Sequence, residues 1–293
     1  MRKLCKVLPL ATVLVLLTAV LFGCGGGGGD VQGKIVGIEP GAGVMSATEA
    51  AIAEYGLDYQ LQDSGSAAMT ASLKKAIANE EWIVVTGWTP HWKFAQWDLK
   101  YLDDPKGVYG GAEEITTIAR LGLKEDMPEV YEFLDKFNWT PADMEAVMLA
   151  MQDEMTPDEA AGKWIQDNRD KVNAWLPEQE DAEKGKVTLG YVEWDSEIAS
   201  THVVKNVLEE MGYEVEPVSV DAGIMWTGIA NGDFDAIVSA WLPLTHGDYY
   251  DKVKDDVDNL GANLEGAKIG LVVPTYVTID SIEEMNEVKD KFK

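Results

Sequence analysis

Cysteine is almost missing from this chain of 293 residues, in which Cys5 and Cys24 are the only two. A disulfide framework and a cysteine-rich zinc site are thereby excluded, so stability has to come from an apolar core. Histidine is nearly as scarce: His91, His202 and His246 stand at spacings that make no metal site. Basic residues are outnumbered, 24 against 51 acidic ones, for a formal net charge of -27. Phosphate recognition needs the opposite sign, so nucleic-acid binding is ruled out. Neither a G-x-S-x-G nucleophile elbow nor a P-loop occurs. With no nucleophile, base or metal centre in a recognisable arrangement, the chain reads as a non-enzyme that needs no cofactor. Long hydrophobic runs are missing too, with a single exception.

That run extends from Val7 to Phe22 behind the basic start Met1-Arg2-Lys3-Leu4-Cys5-Lys6. It is shorter than the roughly 20 apolar residues a transmembrane helix requires, and a basic stretch followed by an apolar one is the order of a secretory signal. Residues 1–23 are therefore read as a signal peptide. The run closes on Leu21-Phe22-Gly23-Cys24, which resembles a bacterial lipobox although Phe22 is bulkier than that motif usually carries. Cys24 is then the lipidated residue, and Gly25 to Gly29 fall in a flexible tether over 24–32. The expectation is an extracytoplasmic protein, lipid-anchored at the outer face of the cytoplasmic membrane. Beyond the tether the chain is long enough for two domains, each with a sizeable core.

An internal repeat organises that remaining portion. Gly37 and Gly190 are 153 positions apart, and so are Trp88 and Trp241. In the first copy Lys34 to Glu39 reads as a buried strand, followed by a helix from about Met45, a strand near Asp58 to Gln62, a helix over Ala67 to Ala78 and a strand from Trp82 to Gly87. In the second, Lys186 to Glu193, Ala199 to Met211, Glu214 to Val220, Ile224 to Ala230 and Asp235 to Ala240 repeat that order. Strands alternating with helices predict parallel sheets covered on both faces, hence an α/β chain of two similar lobes around a cleft. Between the copies lie acidic amphipathic helices, with Thr140-Pro141 and Thr156-Pro157 as cap and first-turn pairs. The chain is expected to cross between lobes near Glu114 and to return through an apolar strand over Ala267 to Val277, so that the last helix packs on the first lobe. Lobe 1 is then 33–113 plus 267–293, lobe 2 is 114–266, and the two crossings form a hinge.

Ligands of open α/β sheets bind beyond the carboxyl ends of the strands, where Trp88, Trp194 and Trp241 fall. An indole face carries negative potential, so indoles gathered around a point hold a diffuse cation that has no N–H to donate. The remaining tryptophans, among them Trp82, Trp139, Trp164, Trp175 and Trp226, are read as packing. The glycine-rich turn Pro40-Gly41-Ala42-Gly43-Val44-Met45-Ser46 leads from strand to helix, and a helix start offers N–H groups to an anion with no positive charge to repel the cation. Gly43 and Val44 are the expected donors. His246, five residues beyond Trp241, adds a further hydrogen bond to a carboxylate oxygen.

The stretches Ile35 to Gly43, Thr86 to Trp92, Tyr191 to Glu197, Ser239 to Pro243 and Gly270 to Pro274 resemble the glycine betaine-binding lipoproteins of bacterial osmoprotectant ABC importers. The resemblance spans nearly all of the chain beyond the signal. It implies a type II periplasmic-binding-protein-like fold, two α/β lobes joined by two crossover segments. It also implies a tryptophan cage of Trp88, Trp194 and Trp241 for the quaternary ammonium group, with Gly43, Val44 and His246 on the carboxylate. Delivery to the permease subunits of an ABC importer, for osmoprotectant uptake, is part of the same implication. Proline betaine, carnitine, choline and ectoine are the alternatives to glycine betaine, and a ligand-sensing module is the alternative to a transport component.

Overall fold

The computed structural model describes residues 33–178 and 184–292. The expected signal peptide over 1–23, Cys24 and the expected tether over 24–32 lie outside these residues.

In chain order the first copy contains β1 (Gly33–Val36), α1 (Gly43–Tyr55), β2 (Tyr59–Gln62), α2 (Ser66–Ala78), β3 (Val84–Thr89), α3 (Lys93–Gln96) and β4 (Leu99–Tyr101). The middle contributes β5 (Glu113–Arg120), α4 (Leu123–Asp126), α5 (Pro128–Lys136), α6 (Pro141–Gln152), α7 (Pro157–Asp167) and α8 (Arg169–Trp175). The second copy is β6 (Lys186–Tyr191), α9 (Asp195–Glu210), β7 (Glu214–Ser219), α10 (Ala222–Asn231) and β8 (Ala236–Leu242). After α11 (Gly247–Val253) and β9 (Val257–Pro274), a 3-10 helix over Ile282–Lys291 ends the chain. Among the described residues no helix is long and apolar enough to cross a membrane.

The strands join one sheet in the order β2-β1-β3-β9-β5-β8-β6-β7, with β4 also on β9. The repeat accounts for its two ends: β1 is parallel to β2 and β3, as β6 is to β7 and β8. The centre corrects the expectation of parallel sheets, because β9 runs antiparallel to β3, β4 and β5, and β5 antiparallel to β8. The sheet is mixed. Strand β9 is also longer than the Ala267 to Val277 read from its apolar residues. Its first half mixes exposed, half-buried and buried positions without regular alternation, and its partnering with β5 rather than its own hydrophobicity makes it a strand. It pairs with β5 through Val257–Ala267 and with β3 from Lys268 onward, so this one strand links the two halves of the sheet. The register with β5 slips three times, once at Gly266, whose φ of 83° is open to glycine without strain.

Local signals elsewhere worked as expected. The Thr140 and Thr156 hydroxyls accept from the Asp143 and Glu159 N–H groups, and those acids reach back to the cap N–H groups. Each capping box stabilises its helix by about 1 kcal/mol. β8 is buried along its whole length, as its continuous apolar run requires. Trp139, Trp164 and Trp175 pack with Phe137 in one aromatic cluster. The final element is a 3-10 helix rather than an α-helix. It docks beside β1 and β2, where the Tyr59 hydroxyl donates to the Met285 carbonyl at 2.8 Å and Asn286 bonds Gly56 and Asp58.

Candidate ligand-binding site

The strand ends deliver the three tryptophans. Trp88 is the penultimate residue of β3, Trp241 holds the same place in β8, and Trp194 is the N-cap of α9 just past β6. All three are 7% exposed or less. Together with Gly43, Val44 and His246 they line one cavity. Thus all six residues singled out from the sequence meet, drawn from both halves of the sheet.

α1 starts at Gly43 without a side-chain cap. Its first N–H groups, those of Gly43 and Val44, have no carbonyl one turn earlier to donate to, and both residues line the cavity. Gly43 is also set by close approach, since a Cβ there would stand 2.0 Å from the carbonyl oxygen of Thr245. A side chain at 43 would force the α1 start and the 245–246 segment apart.

His246 is fully buried, and its Nδ1 accepts the Trp241 N–H at 3.1 Å. Burial pushes its pKa down to about 4, so the ring is neutral at pH 7. A neutral ring that accepts at Nδ1 carries its proton on Nε2. That Nε2 has no hydrogen-bond partner among the described residues. A buried donor without a partner is costly, and a ligand oxygen in the cavity would relieve the cost. The ring is held in place by Trp194, stacked at 6.1 Å between centroids, and by the edge contact of Trp226 at 5.8 Å. Trp226, read as packing, thus supports the site from behind.

Several contributors were not legible in advance. Ile38, Ala42, Ser196, Thr245 and Ile269 complete the lining. Two carboxylates shape the walls. Glu113 accepts from the Leu244 and Thr245 N–H groups at 2.8 and 2.7 Å and from the Thr245 hydroxyl, fixing the turn before His246. Glu39 accepts the Trp194 indole N–H at 2.9 Å and the Ser66 N–H at 3.1 Å, tying the first half of the sheet to the second. Glu39 adjoins the glycine turn in sequence, which was the available hint. Glu113, distant in sequence from the turn it organises, left none.

The first repeat's histidine takes a different path. His91 Nδ1 accepts the Lys93 N–H at 3.1 Å, while its Nε2 stands 3.6 Å from Asp195. Burial, followed by the nearby Lys93, holds its pKa well below the ordinary value, so it too is neutral. Ser66 also reaches Asp195, at 3.4 Å.

The arrangement offers three indoles to a cation and uncharged donors to an anion around one cavity. Residues 28–167 and 185–293 match the family model for the substrate binding domain of the ABC-type glycine betaine transport system. The chain belongs to this family. Membership makes it an extracytoplasmic substrate-binding component of an ABC importer, a transport class and not an enzyme class. It is 48% identical, over 97% of its length and 99% of the relative's, to the glycine betaine/carnitine transport binding protein GbuC of Listeria monocytogenes serotype 1/2a (strain 10403S). Among solved structures it is similar to lactococcal OpuAC in its closed-liganded conformation with glycine betaine, at 53% identity and a TM-score of 0.48. That match covers 49% of this chain and 57% of the other. A second, the glycine betaine, L-proline ABC transporter protein ProX of Borrelia burgdorferi, is 35% identical with a TM-score of 0.44, over 50% of this chain and 56% of that one.

Proposed function

We propose that this binding protein captures glycine betaine, or a close relative such as proline betaine, between two lobes, 33–113 with 267–293 and 114–266, and hands it to the permease of its importer. In this reading Trp88, Trp194 and Trp241 surround the quaternary ammonium group. The Gly43 and Val44 N–H groups and His246 Nε2–H take the carboxylate. The observation that carries the reading is the buried, unpartnered Nε2–H of a neutral histidine in a cavity lined by three indoles. Each indole contributes about 0.5–2 kcal/mol depending on how dry it is, a substantial share of the roughly 8 kcal/mol of a micromolar complex. Charge-neutral donors bind the anion without opposing the cation, which favours a zwitterion over choline. Closure of the lobes through the β5 and β9 connections presents the loaded form, and a lipid on Cys24 keeps the protein beside the permease.

Calorimetric titration of the chain from Asp30 with glycine betaine, proline betaine, carnitine, choline and ectoine tests the proposal. Saturable binding of a betaine, with choline at least tenfold weaker, is the expected result. Silence toward every one of these compounds would overturn it.

A further inference from the structure

Lys93 is the one lysine whose side chain is fully enclosed among the described residues, and its amino group has no hydrogen-bond partner there. Its Nζ lies 4.3 Å from the centre of the Trp88 ring and 5.5 Å from that of Phe94. Trp88 lines the ligand cavity and Lys93 does not, so the amino group bears on the ligand space through this ring and not as part of the lining. A quaternary ammonium ligand held by Trp88 would share one indole with the Lys93 amino group. Charge on one face draws π density away from the other, and two like charges separated by a single ring repel through a medium with little screening.

We propose that Lys93 is a positioning residue for the binding site, which weakens the hold of Trp88 on a quaternary ammonium ligand when its amino group is protonated and restores it when the group is neutral. This rests on the betaine reading above. Among the neighbours, Asp195 at the start of α9 favours the charged form of Lys93, and His91 beside it is neutral. Glu145 of α6, Tyr101 of β4 and Lys268 of β9 surround the same segment: Tyr101 stacks on Phe94 at 5.1 Å, with Lys268 Nζ 4.0 Å over its ring. Burial is the dominant influence and brings the Lys93 pKa down from 10.5 to about 7. The amino group therefore changes charge in the neutral range. Ligand binding favours its neutral form, so affinity rises as pH rises, and binding near pH 7 expels a proton.

The experiment is glycine betaine calorimetry on the wild type and Lys93→Met between pH 5.5 and 9, repeated at pH 7 in buffers of different ionisation heat. The expected wild-type affinity rises about three- to tenfold between pH 6 and 8.5, as a like charge across a ring in a weakly polar medium requires. Proton release accompanies binding at pH 7. Lys93→Met should bind at the high-pH wild-type level throughout, without proton release. Lys93→Gln serves if the methionine variant folds poorly. An equal slope in the variant assigns the pH dependence to Asp195, Glu145 or another retained group and overturns the proposal, as does a flat wild-type profile. Absence of binding at every pH in both proteins would instead remove the betaine reading, and this inference with it.

Discussion

The Trp88–Lys93 segment and the Trp241–His246 segment are two copies of one turn. Each follows a buried strand, places a tryptophan next to its end, and carries a histidine whose Nδ1 accepts a backbone N–H. Their histidine Nε2 atoms point to different uses. His246 leaves its Nε2 without a hydrogen bond beside the cavity, whereas His91 Nε2, also without one, stands 3.6 Å from Asp195 of the opposite half. Duplication thus supplied two aromatic walls, and the surroundings of each copy set one histidine at the cavity and the other beside Asp195 of the other half. The lesson is that symmetry of sequence predicts position better than role.

Substitutions can break this comparison, beginning with the largest effect. Gly43→Val adds a side chain where even a Cβ would overlap the Thr245 carbonyl. Binding measured by calorimetry should fall by about 100-fold or more while the fold survives, since α1 need only shift outward. Retained affinity would show that the two halves need not approach this closely.

Acid should reveal the burial of His246 next. His246 is neutral when folded, with a pKa near 4 against 6.5 for an ordinary histidine. Between those values the unfolded chain binds the extra proton, so stability is full above about pH 6.5 and declines as pH falls toward 4. The loss is up to about 3 kcal/mol from this residue. Denaturant melts of wild type and His246→Gln at pH 7 and 4.5 should show a shallower pH slope in the variant; parallel slopes would place the loss elsewhere.

In ligand titration His246→Ala should weaken betaine binding about tenfold, the worth of one hydrogen bond to a charged oxygen. It should change choline binding little. His91→Ala should alter both ligands by about threefold or less, because its contact is between the halves and not with the carboxylate. An equal loss in both variants would erase the distinction drawn between the copies. Smallest of all, Trp194→Phe keeps an aromatic face but deletes the indole N–H to Glu39. A loss of about three- to fivefold is expected from the weaker ring and the orphaned carboxylate.

Much of this site could be read in advance because it sits on local signals. A strand end, a glycine turn and a repeat offset are properties of short stretches, and they located Trp88, Trp194, Trp241, Gly43, Val44 and His246. Glu113 and Lys93 were not readable in this way. Glu113 acts on residues more than a hundred positions away, and a lysine directly before Phe94 reads as an ordinary surface charge until packing buries it. The antiparallel centre of the sheet was missed for the same reason: the first half of β9 has no regular apolar pattern and becomes a strand only through pairing with β5.

Alternating apolar stretches, caps and the duplicated turn determined by themselves that this chain would form α/β units with tryptophans at their strand ends, because periodicity and capping act over a few residues. Only the tertiary structure decided which of the two buried turn histidines lines the cavity, which lysine loses its water, and how one long strand unites the halves. Those outcomes depend on burial and on partners far apart in sequence, and burial is what turns an ordinary side chain into a tuned one.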